Sequence, residues 1–180
     1  MHKQLEQLSR DHRNLEKILA MLTQQLDDFF AGRESDFDLK IELMEYLEAF
    51  ADQGHHPLEN LIYGIAQKRI KGHDELFARL ARQHSNLAQL TRTFRHSLEG
   101  ILHEAVMSRA ELETQGREYI ALQHLHLALE EREVFPLLEA ELTETDWAEI
   151  SANLPKHDDP VFESPDQIRF QTLVNYLKNT

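Results

Sequence analysis

Cysteine is absent from the 180 residues, which excludes disulfides, thiolate metal sites, iron–sulfur ligation and cysteine nucleophiles. Proline is scarce: of five, only Pro57 falls in the first 135 residues. Six glycines add few further breaks to a sequence rich in Leu, Glu, Ala, Gln, Lys and Arg, a composition that forms helices. Positive charge is also short, 19 Lys+Arg against 32 Asp+Glu for a net charge of -13. A phosphate backbone or an anionic membrane is therefore not the expected main partner. No run approaches the ~18 apolar residues of a membrane helix, and the N-terminus MHKQLEQLSRDHR has no apolar signal core. A cytoplasmic protein is expected. The length suits one domain, at roughly 100 to 200 residues each, that buries about 70% of its unfolded surface. What the sequence has in excess is histidine, with 11 residues.

Apolar residues at Leu5, Leu8, Leu15, Leu19, Leu22, Leu26 and Phe30 keep helical spacing and stop at Gly32. A second helix should start between Ser35 and Asp38 and run to Gly72, kinked or frayed near Gly54 and Pro57. A third spans Asp74 to between Gly100 and Ala105. The fourth starts at a capping box, Ser108 to Glu111, and bends at Pro136. Four long helices with short connections pack most simply as an antiparallel up-down bundle. Beyond them, Thr143–Leu154 and Pro165–Leu177 read as short helices, the second capped by Ser164. An all-α domain over 1–140 with a C-terminal helical extension over 141–180 is the expected organisation.

The segment Arg10-Asp-His-Arg-Asn-Leu15 returns as Arg82-Gln-His-Ser-Asn-Leu87, matching at four of six positions. The following pairs also match: His55 and Glu59 lie 43 and 47 residues after His12, and His126 and Glu130 lie 42 and 46 after His84. The chain is thus two similar hairpins, each with a His on its first helix and a His-x-x-x-Glu on its second. At 100° per residue, His12 and His84 fall on apolar stripes, and Glu130 lies about 40° from His126 whereas Glu131 lies about 140° away. Four imidazoles and two carboxylates inside a core are costly unless paired or bound to metal, and i, i+4 spacing puts each second-helix pair on one face. His96, His103 and His124 point elsewhere. Glu133, about 20° from His126, is a candidate supporting acid, and His56 would replace His55 if the Pro57 kink rotates the helix. Tyr63 and Phe135 read as packing residues, Tyr63 at the edge of the pocket. Imidazole and carboxylate without sulfur suit iron, manganese or zinc.

The set His12, His55-His-Pro-Leu-Glu59, His84 and His126-Leu-Ala-Leu-Glu130 followed by Val134-Phe-Pro136 resembles the hemerythrin-like, or HHE cation-binding, family over residues 1 to about 140. The resemblance implies a four-helix bundle with two iron ions joined by carboxylates and an oxo or hydroxo group. It implies the metal ligands His12, His55, Glu59, His84, His126 and Glu130. Oxygen carriers of that family have another His one turn along the third helix, where this chain has Leu80 and Ala88. Glu133 and His56 are the nearest polar candidates for the missing ligand. The likeness is therefore closer to bacterial hemerythrin-like proteins tied to oxygen or nitric oxide sensing and iron-centre repair; the repair proteins carry a cysteine-bearing N-terminal domain that is missing here. The expected function is binding or sensing of oxygen, nitric oxide or peroxide, with a di-metal redox enzyme or iron-handling protein as the alternative. Oligomeric state, a homodimer included, is not legible.

Overall fold

The computed structural model describes residues 1–34 and 36–179 and is helical throughout, with no strand among the described residues. Helix α1 (Lys3–Phe30) ends where Gly32 takes φ 73°, a left-handed conformation that glycine adopts without strain. The second long segment is composite: α2 (Phe37–Tyr46), a π-helical stretch (Leu47–His55) and α3 (His56–Arg69). Asp36 caps α2 by accepting from the Leu39 backbone N–H; Ser35, an expected start, lies outside the described residues. Helix α4 (Asp74–Leu102) is followed by α5 (Arg109–Leu129), which starts at the Ser108 cap. A second π-helical stretch (Glu130–Val134) leads into α6 (Phe135–Glu141). Each π-helical stretch ends two residues before a proline, Pro57 or Pro136. Proline cannot donate to the carbonyl four residues back and crowds it. The backbone widens to i−5 bonds instead, His56 N–H to Ala51 O and Phe135 N–H to Glu130 O. The kinks expected at the prolines are thus register shifts.

Helix α5 lies against α1 and α4, and α4 also packs on α2 and α3. Apolar residues form two clusters. The larger joins Leu15, Leu19 and Leu26 of α1 to Leu43, Phe50, Leu87, Phe94 and Tyr119, and the smaller joins Leu5 and Leu8 to Ile62, Leu80, Leu129 and Phe135. On α1 the seam between them falls at His12, and on α4, between Leu80 and Leu87, at His84. Past the bundle, α7 (Glu144–Asn153) opens with a Thr143–Asp146 capping box and lies on α3, burying Trp147 and Ile150. Helix α8 (Gln171–Asn179) lies on α2. It does not begin at Pro165, as the sequence suggests, because the Asp159 and Asp166 carboxylates take the backbone N–H groups of Val161, Phe162, Ile168 and Arg169 and hold that stretch in turns. No helix among the described residues is long and apolar enough to cross a membrane.

Candidate metal centre

Seven side chains meet at the seam: His12 from α1, His55 at the end of the first π-helical stretch, His56 and Glu59 from α3, His84 from α4, His126 from α5 and Glu130 at the start of the second π-helical stretch. None is more than 4% exposed. Their inner atoms form two clusters of metal-ligand spacing, His12, His55 and Glu59 in one and His56, Glu59, His84 and His126 in the other. Glu59 belongs to each. Its Oε1 lies 3.0 Å from His55 Nε2 and 3.4 Å from His12 Nε2, and its Oε2 lies 3.3 Å from His84 Nε2. Glu130 also spans the pair, with Oε2 3.2 Å from His126 Nε2 and 3.4 Å from His12 Nε2.

Outward-facing ring nitrogens orient the imidazoles. His12 Nδ1–H donates to Glu131 (2.8 Å), His55 to Asp11 (3.1 Å), His84 to Asn60 (2.7 Å) and His126 to Gln83 (3.0 Å). Donation from Nδ1 leaves the Nε2 lone pair free for an ion, the arrangement that orients metal-binding histidines. His56 Nδ1 stands 3.3 Å from Asp52 without hydrogen-bond geometry. Tyr63 donates its hydroxyl to Glu130 Oε1 at 2.6 Å, and Phe135 stacks on His12.

The charge balance favours a cation in the middle. Burial opposes ionising Glu59, but the His55 charge and the close approach of the His12, His55 and His84 rings hold it well below the ordinary carboxylate range. Glu130, opposed by burial and by the Glu59 charge, is still brought down to about 2 by His126, His12 and His84. Burial works against protons on the imidazoles too. At His12 the neighbouring carboxylates of Glu130, Glu131 and Glu59 outweigh it, raising the group well above 6.5. Burial is likewise outweighed at His55 by Glu59 and Asp11 and at His84 by Glu130 and Glu59, which raise these two groups to about 9. His56 and His126 are pushed by burial, and by neighbouring histidine charges, down to about 3 and about 4.

The donor set fits a metal. His55 Nε2, both His56 nitrogens, Glu59 Oε2 and Glu130 Oε2 are buried without a hydrogen-bond partner. His84 Nε2 and His126 Nε2 face each other at 3.0 Å while each Nδ1 is committed outward. Two lone pairs at that distance repel unless a proton or cation lies between them, and a buried polar group without a partner costs about 1–3 kcal/mol.

All six residues expected from the sequence converge here. His56 joins His55 rather than replacing it: the two rings diverge, His55 toward His12 (5.0 Å between centroids) and His56 toward His84 (4.4 Å). It brings a fifth imidazole to the seam. Glu133 is exposed, because the π-helical stretch moves it off the His126 face, and Glu131, which 100° spacing turned away, reaches His12. Sequence reasoning does not find Asp11, Asn60 and Gln83 as anchors; a polar residue next to each candidate ligand is the available signal. His96 and His103 are exposed and His124 pairs with Glu16 at the surface. A family model described as the hemerythrin HHE cation-binding domain matches residues 3–138. No curated protein and no solved structure matches the chain.

Proposed function

Since this chain belongs to the hemerythrin HHE cation-binding domain family, we propose that it is a non-haem di-iron protein that binds or senses a small ligand such as oxygen, nitric oxide or peroxide. The observation that supports this most is the convergence of five imidazoles and two ionised carboxylates on a buried seam, with one carboxylate shared by two ligand clusters. His12 and His55 would hold one ion and His56, His84 and His126 the other, with Glu59 and Glu130 between them. When bound, a pair of iron ions supplies electron-transfer chemistry and open positions for a small ligand.

The protein's own groups prepare that place. Outer hydrogen bonds fix the rings of His12, His55, His84 and His126 so that Nε2 points inward, and Leu8, Leu15, Leu80 and Leu87, fully buried around the seam, exclude bulk water. Tyr63 holds a proton against Glu130 Oε1 and keeps that carboxylate oriented. A surface cavity of about 300 Å³ lined by Ser9, His12, Arg13, Glu16 and Glu131 reaches the edge of the His12 ring and gives a small ligand its approach. The fold expected for this role is the antiparallel four-helix bundle of the family.

Metal analysis after anaerobic iron(II) loading tests the reading. Two ions per chain are expected, with losses in Glu59→Ala and in a His84→Ala, His126→Ala double variant, and none in His124→Ala. Fewer than one ion per chain in the unaltered protein, or full loading of the double variant, would overturn it. Nitric oxide added to the reduced, loaded protein should change its visible spectrum, and an unchanged spectrum would remove the ligand-binding half of the proposal.

A further inference from the structure

The four outer anchors occupy equivalent places in the internal repeat but differ in charge. Asp11 precedes His12 and accepts from His55 on the second helix of its own hairpin; Gln83 precedes His84 and accepts from His126 in the same way. Glu131 follows Glu130 and accepts from His12 of the other hairpin; Asn60 follows Glu59 and accepts from His84. The hydrogen-bond pattern is therefore two-fold and its chemistry is not. On the His12 and His55 side each anchor is a carboxylate, and on the His84 and His126 side each is an amide oxygen.

Resting on the reading of this seam as a di-metal centre, we propose that Asp11 and Glu131 are positioning residues that make the two metal places electronically unequal, the His12/His55 place favouring the more highly charged ion. An Nδ1–H held by a carboxylate makes a charge-assisted hydrogen bond, roughly twice as strong as one to a neutral amide, and it raises the donor strength of the opposite nitrogen. The His12/His55 place has two imidazoles against three on the other side, so stronger donation offsets the smaller number. His56 stands outside the repeat, where Leu127 follows His126; the Asp52 carboxylate lies 3.3 Å from its Nδ1 without hydrogen-bond geometry, so it is a neighbouring charge there and does not accept the ring proton as the four anchors do.

Exchanging charge while keeping shape separates this role from simple packing. Asp11→Asn with Glu131→Gln removes the two charges and keeps two acceptors; Asn60→Asp with Gln83→Glu adds two charges on the other side. Iron(II) is titrated anaerobically into each full-length protein, and the reduction potential of the loaded form is then measured. The acid-to-amide pair should weaken one of the two iron equivalents by about tenfold or more and move the potential positive, because the oxidised ions lose stabilisation. The amide-to-acid pair should move it negative. If neither pair shifts the potential, or the two shift it in the same direction, the proposal is overturned although metal still binds. If the unaltered chain takes up no iron, the di-metal reading itself fails, and this one with it. Glu131→Gln alone, altering a side chain 40% exposed, tests the sign should either double variant misfold, as judged by its helical circular dichroism.

Discussion

At the scale of the residue, the seam works by orienting four of its five imidazoles from outside. A buried imidazole has two nitrogens to satisfy, and here the protein fixes the outer one, so the inner one is left to an ion or to a proton. Tyr63 applies the same logic to a carboxylate. Its O–H meets Glu130 Oε1 at 2.6 Å, while His84 Nε2 stands 3.7 Å from that oxygen. Phe in its place keeps the ring and loses the donor. A hydrogen bond to a charged group contributes about 1.5–3 kcal/mol, so Tyr63→Phe should lower the unfolding free energy of the metal-free protein by about that amount. Urea denaturation measures it, and an unmoved midpoint would mean that Glu130 is held by its histidines alone. The donor types are legible in the sequence because Leu8, His12 and Leu15, like Leu80, His84 and Leu87, share a stripe. The anchors are not, because Asp11 and Gln83 sit 100° off those stripes and meet their partners only once a second helix is in place.

At the scale of the element, helix starts and stops can be read from caps and from Gly32, whereas the prolines carry more information than a kink. By widening two turns to i−5 bonding they reset the angular position of the residues beyond them. Constant 100° spacing then assigns Glu133 inward and Glu131 outward, whereas in the structure Glu133 is exposed and the part-exposed Glu131 is the one that reaches His12. The first π-helical stretch has a second constraint that no periodicity shows. His157, from the loop after α7, stacks on Phe50 (4.8 Å between centroids) and fills the space where a side chain at Gly54 would stand. Gly54→Ala must displace that ring, and overpacking of this kind costs about 1–3 kcal/mol. Gly64 is exposed on α3, and a methyl group added there would meet nothing within 4 Å. Gly64→Ala should instead stabilise by about 0.4–1 kcal/mol by restricting the unfolded chain. Thermal denaturation of the two variants should thus move in opposite directions; equal shifts would show that His157 yields freely and does not clamp the stretch.

At the scale of the whole molecule, a bundle with a net charge of -13 also gathers positive charge at its centre. Without metal that charge is protons on His12, His55 and His84, whose folded-state values stand above the ordinary 6.5. Between about 6.5 and the values of about 9 to which their surroundings raise His55 and His84, the folded protein holds protons that the unfolded chain has released. Stability of the metal-free protein must therefore fall as pH rises through that window. Below 6.5 the sign reverses: His56 and His126, near 3 and 4 in the fold, stay neutral while the unfolded chain takes up protons, so stability falls again with acid. Metal changes the upper limb. An ion supplies the central charge that the protons supplied and binds only deprotonated imidazole, so its affinity, and the stabilisation it gives by mass action, grow as pH rises. The melting temperatures of chelated and iron-loaded protein should diverge from pH 6.5 to pH 9 and converge on acidification, as protons displace the metal. Scans at pH 5, 6.5, 8 and 9 with metal content measured at each decide it. A gap that stays constant across them, with metal occupancy full, would mean that the buried histidines do not exchange protons for the ion.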